Sequence, residues 1–218
     1  MFWHVNYGCI ENTISDMKDS SIVPENITGK AVDIEHSITV NANEAKQAYE
    51  VARERLLHPA CWQQLSGSAS ATFELISDNI VSQNEVHEND HLRIDVPGPG
   101  AAEGDGYDWV KVETVEEDKV PGTDNSIALK LRASPNPNNN KTSTAHFFKE
   151  DATSTFIIKL KGNTITASYH GRNEVPNVKD VSIIDKIRNT LVAAGAAIGL
   201  SEIQWNALVK GLLEMDKN

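Results

Sequence analysis

The segment Ser168-Tyr169-His170-Gly171-Arg172-Asn173-Glu174 sets three ionisable side chains at alternate positions. His170 offers a base, Arg172 an anion clamp and Glu174 an acid, which together suit proton transfer at a bound ligand, while Gly171 lets the backbone come close. A plainer use exists for each of them. Arg172 can pair with Glu174 or another acid, and Asn173 and Asn177 can bond local backbone ahead of a helix capped near Asp180. The segment lies just beyond an expected β-hairpin, in loop position.

A second group follows the strand that ends at Pro97-Gly98-Pro99-Gly100. Glu103, Asp105 and Asp108 fall within a few residues, and their carboxylates could converge on a hard cation such as calcium, although the spacing is not that of an EF-hand loop. The competing use is structural: Asp105-Gly106 makes a turn and Trp109 plugs the sheet edge. Calcium is the one cofactor this stretch suggests, and otherwise none is expected. His87-Glu88-Asn89-Asp90-His91 has HExxH spacing but lies outside any helix read from periodicity, and His58, His146 and His170 stand apart, so no zinc site is expected from them. There is no GxSxG, neither Cys9 nor Cys61 sits in a cysteine-protease context, and GPGAAEG lacks the lysine of a phosphate loop.

The elements that must carry these residues follow from periodicity. Residues 1–30 show no sustained period and contain Pro24 and Gly29, so they read as an irregular arm whose Phe2, Trp3 and Tyr7 need cover. A single α+β domain then spans 31–218. Val32 to Val40 alternates as a strand. Asn43 is placed to cap a helix in which Ala45, Ala48, Tyr49, Ala52 and Leu56 share a face until His58-Pro59, and a turn with Trp62 follows. Alternation resumes at Phe73 and Leu75, at Leu92 and Ile94, at Val110 and Val112, and at Ile127, Leu129 and Leu131. Two further runs meet at Gly162-Asn163 as a hairpin. One face of each strand is apolar and the other polar, as in an antiparallel sheet covered on one side. The tail, about 181–216, reads as two helices. Ile184, Ile187, Leu191, Ala194 and Ile198 stripe the first; Ser201 with Gln204 forms a capping box for the second, which carries Trp205, Leu208, Val209 and Leu212.

The fold class expected is therefore α+β, a curved antiparallel sheet of about six to seven strands packed against a C-terminal helical segment. The segment ITVNANEAKQAYEVARERLLHPACWQQLSG, with the element order around it, resembles the opening of the helix-grip proteins, the START and Bet v 1-like ligand binders. That resemblance covers residues 32 to about 200 and implies an apolar cavity between sheet and C-terminal helix, holding a hydrophobic or amphipathic molecule. Phe73, Phe156, Tyr169 and Trp205 are expected to line it, with Trp109 at its rim.

A formal charge of -11 in 218 residues argues against binding phosphate backbones or anionic membrane surfaces. No run of about 20 apolar residues suggests a membrane span, the start does not read as a secretory signal, and two distant cysteines suit a reducing cytoplasm. Three functions fit: a non-enzymatic binder of a small ligand; a protein-interaction component using the acidic loop at 97–118 and the N-terminal arm; and a hydrolase or isomerase using His170 and Glu174. Partners are accordingly a small molecule or another protein.

Overall fold

The computed structural model describes residues 22–67, 70–96, 104–119, 124–177 and 202–215. Phe2, Trp3, Tyr7, Glu103, Asp180, Ser201 and the helical stripe from Ile184 to Ile198 lie outside them. Strands β1 (Lys30–Thr39), β2 (Thr72–Ser77), β3 (Ile80–Ser82), β4 (His91–Asp95), β5 (Asp108–Lys119), β6 (Asp124–Ala133), β7 (Thr153–Lys161) and β8 (Thr164–Glu174) form one antiparallel sheet in the order β1-β8-β7-β6-β5-β4-β2-β3. Helices α1 (Ala45–Leu57) and α2 (Trp62–Ser66) stand between β1 and β2, and helix α3 spans 202–212. The architecture is the expected α+β one, a curved antiparallel sheet with a C-terminal helix.

Eight strands replace the six to seven expected, and β3 is the addition. Asp78 and Asn79 take φ of 50° and 64°, the two left-handed positions that a tight two-residue hairpin needs, so the chain turns back at once and Ser77 pairs with Ile80. The turn chemistry is Asp-Asn rather than a glycine dipeptide, which hid it. At the start of α1, Glu44 and not Asn43 holds the cap position; Asn41 carbonyl accepts the Glu44 N–H at 2.9 Å. Gln204 Oε1 accepts from Ala71 N–H at 3.2 Å, and the capping box expected of it with Ser201 lies outside the described residues.

The hydrophobic core fills one face of the sheet. Ala45, Ala48, Tyr49, Ala52 and Leu56 of α1 are buried, and the helix crosses β6, β7 and β8. Leu208, Val209 and Leu212 of α3 enter the same core. From the sheet come the alternate residues of each strand, such as Ile127, Leu129 and Leu131 of β6 and Phe156, Ile158 and Leu160 of β7. This core face is the concave one. No helix among the described residues is long and apolar enough to cross a membrane.

Candidate functional site

Among the described residues, five aromatic rings pack on one another over the concave face. Phe156 lies at its centre, with ring centroids 5.3 Å from Trp62, 5.1 Å from Tyr169 and 5.4 Å from Trp205. Trp205 of α3 stacks on Tyr169 at 5.3 Å with an interplanar angle of 23°, and Phe73 reaches both Trp62 and Trp205. Offset and edge contacts of this kind stabilise the face beyond simple area burial. Phe73, Phe156, Tyr169 and Trp205 are thus brought together as one surface. Trp62 completes it. Its place was readable only as a turn residue, since a short helix after His58-Pro59 shows no period of its own; its indole N–H donates to Arg55 carbonyl at 3.0 Å.

One carboxylate enters this apolar face. Glu174 is 7% exposed, and its Oε1 accepts from the Tyr169 hydroxyl at 3.2 Å; Ser154 Oγ meets the same hydroxyl at 3.2 Å. Strict alternation along β8 would point Glu174 the other way. Tyr169 and Gly171 face inward, whereas His170 and Arg172 face outward. Between Gly171 and Glu174, β8 has one residue more than β1 across the same step, since Val32 pairs with Gly171 and Lys30 with Glu174. That bulge reverses the parity, and Asn173 absorbs it with φ of 56°. Local bonding fixes the strained residue: Asn173 Oδ1 accepts from the N–H groups of Ile27 and Thr28 at 2.8 and 3.1 Å, and Asn173 N–H donates to Asn26 Oδ1 at 2.8 Å. A side chain at 171 would displace its neighbours, because a Cβ there would press on Glu174 Oε1 and stand 2.9 Å from the Tyr169 hydroxyl.

Electrostatics match this placement. Burial pushes the Glu174 carboxyl above its ordinary value, opposed by the Tyr169 hydrogen bond and the charges of Lys30 and Arg172. Burial raises the Tyr169 phenol in turn, with the Glu174 charge acting the same way. Beside the carboxylate lies a cavity of about 10 Å³, walled by Val110, Leu131, Ala133, Phe148 and Ala152 together with Thr153, Ser154 and His146. His146 Nδ1 accepts from Phe148 N–H at 2.9 Å, and burial holds the imidazole below its ordinary value.

The remaining expected residues lie elsewhere. The segment from Ser168 to Glu174 is strand, not loop, because β1 and β7 pair with it on both sides. His170 and Arg172 project to the convex face, where Asp33 Oδ1 takes His170 Nδ1 at 2.6 Å and Arg172 Nη2 at 2.7 Å. The acid that answers Arg172 is therefore Asp33 of β1 and not Glu174. His170 and Glu174 share no concave site, so the acid–base pair read from their spacing is not assembled. Trp109 also leaves the aromatic group. It is buried on the opposite face with Ile76 and Ala145, and its indole donates to Gly104 carbonyl at 3.2 Å. Asp105 and Gly106 turn the chain with φ of 57° and 94°. Asp105 Oδ2 accepts from Asn136 Nδ2 at 3.0 Å and Asp108 Oδ2 from Phe147 N–H at 3.2 Å. Among the described residues no three His, Cys, Asp or Glu side chains group to hold a metal. A larger groove, about 270 Å³, opens between the Pro59–Cys61 turn and residues 82–84, with no carboxylate, lysine or arginine on its wall.

The order of elements and strands, with helices between the first two strands and after the last, is helix-grip-like. No protein-family model matches the chain, and no curated protein does. Solved structures similar to it include Ara h 8.0201, a Bet v 1 homologue, at 12% identity and TM-score 0.32, covering 82% of this chain and 99% of that one. Protein Ms6760 from Mycobacterium smegmatis, at 13% identity and TM-score 0.35, covers 90% and 99% respectively. A protein from Arthrobacter aurescens, at 13% identity and TM-score 0.35, covers 89% and 92%.

Proposed function

We propose that this is a non-enzymatic binding protein that holds a small, mainly apolar molecule between the concave face of the sheet and the C-terminal helix. The observation that carries the reading is Glu174. A carboxylate set into an apolar wall costs folding free energy, and here a bulge, a left-handed Asn173 and the bare Gly171 all serve its placement. Apolar walls with a few convergent polar groups and a shifted titration are the general character of small-molecule sites. In this reading Phe73, Phe156, Tyr169 and Trp205 contact the apolar body, and Trp205 on α3 moves aside to admit it.

Titration with N-phenyl-1-naphthylamine, an uncharged apolar fluorophore, tests this. A saturable one-to-one complex in native mass spectra is expected, with quenching of tryptophan emission. Trp205→Phe should change its affinity several-fold. Absence of any complex with the folded protein, or an affinity indifferent to Trp205→Phe, would overturn the reading.

A further inference from the structure

We propose that the head group recognised by Glu174 is a primary ammonium carried on that apolar molecule. This rests on the binding reading above and adds the chemistry of the ligand.

The directions of the hydrogen bonds come first. Tyr169 O–H donates to Glu174 Oε1, so in the Ser154–Tyr169 pair the hydroxyl hydrogen comes from Ser154. Both hydroxyl hydrogens are then committed toward the carboxylate. What remains around it is accepting capacity, the lone pairs of Glu174 and of Ser154 Oγ. Two acceptor groups facing one small space, Glu174 and Ser154, call for a ligand rich in donors, and an ammonium has three N–H bonds.

Size narrows the class further. A cavity of about 10 Å³ takes a group the size of one water molecule. A primary ammonium meets that limit, whereas a trimethylammonium exceeds it. Charge acts in the same direction: a cation relieves the desolvated carboxylate, and a protein of formal charge -11 attracts cations and repels carboxylate-headed lipids. Guanidinium heads are excluded by their planar breadth.

Three amphiphiles with one tail separate head-group choice from pocket occupancy: dodecylammonium, dodecanol and dodecanoate, each kept below its aggregation concentration and measured by native mass spectrometry and calorimetry. Dodecylammonium should bind roughly ten-fold or more tighter than dodecanol, and dodecanoate weakest. Glu174→Gln should abolish the preference while dodecanol still binds. Asp33→Asn, which removes one negative charge from the convex face, should leave it intact. Circular dichroism shows whether each variant is folded, and Glu174→Asp serves as a second variant should Glu174→Gln not fold; it should weaken but keep the preference. Equal binding of all three, or a preference for dodecanoate, overturns the ammonium assignment and leaves the pocket standing. A preference lost equally in Asp33→Asn also overturns it, as general attraction to an acidic surface. Binding of none of the three overturns the pocket and the head group together.

Discussion

The two faces of strand β8 are built from neighbouring residues and do opposite things with charge. On the convex face, Asp33 gathers His170 and Arg172, and Glu113 gathers Lys130 and Arg132, so acids there are answered by cations and remain in reach of water. On the concave face Glu117 is answered by Arg53 of α1, whereas Glu174 of β8 meets one phenol and an apolar wall. Exposed ion pairs add little to stability, and a sheet surface carries them at small cost. A buried carboxylate with a neutral partner is expensive to keep, so its presence marks a position held for some other reason. The contrast supports the proposed site inside the grip rather than along the charged strip of His170 and Arg172.

Removal of the concave scaffold should have the largest effect. Phe156 is fully buried against three other rings, and Phe156→Ala should lower unfolding free energy by about 3–5 kcal/mol in urea titration. A loss as small as that of a surface substitution would show that the aromatic face is not packed as described. Gly171→Ala comes next. Its methyl would press on the Glu174 carboxylate and the Tyr169 hydroxyl, costing about 1–3 kcal/mol. In a Glu174→Ala background the same change should cost clearly less, and strict additivity in that double-mutant cycle would separate the two residues.

Glu174→Gln should act in the other direction. The folded carboxyl titrates above the ordinary glutamate value of 4.5, so the folded chain binds this proton more tightly than the unfolded one. Below that value the group is protonated in both states and costs nothing. As pH rises through the folded value, stability falls. Around the group stand Tyr169 and Arg172 of β8, Lys30 of β1 and His146 on the cavity wall. The variant should therefore be more stable than the parent at neutral pH, by on the order of 1 kcal/mol, and equal to it in acid. Thermal melts across pH check both ends of that curve. The smallest effect belongs to the convex face. The Asp33 side chain is 58% exposed, and Asp33→Asn should cost at most about 1 kcal/mol in the same melts. Burial would raise the Asp33 carboxyl, but hydrogen bonds from Arg172 and His170 hold it below its ordinary value, so this small contribution is present above that value and is lost as pH falls through the folded one.

Much of this was legible in the residues. Period-2 alternation identified the inward residues of β6 and β7 and the aromatic members Phe73, Phe156 and Tyr169, because packing against one core imposes that period. Ser154 was legible by the same count, two residues before Phe156, although nothing in its type singles it out. What alternation could not show was a change of parity. His170, Arg172 and Glu174 look like one face at steps of two, and a single bulge residue transfers Glu174 to the other. That bulge depends on Asn173 taking a positive φ under bonds from the arm at 25–28, a tertiary arrangement with no local signature. Trp109 was misplaced for a related reason. In β5 its neighbours Val110 and Val112 face the core, so it faces away, where Ile76 and Ala145 bury it equally well.

The most direct measurement is the titration of the Glu174 side-chain carboxyl by carbon-13 NMR, assigned with Glu174→Gln, in the free protein and with dodecylammonium. A midpoint above the ordinary glutamate value in the free protein, moving down when the ammonium binds, is the predicted result. An ordinary midpoint that dodecylammonium leaves in place would contradict both the buried setting of the carboxylate and its role in holding the ligand.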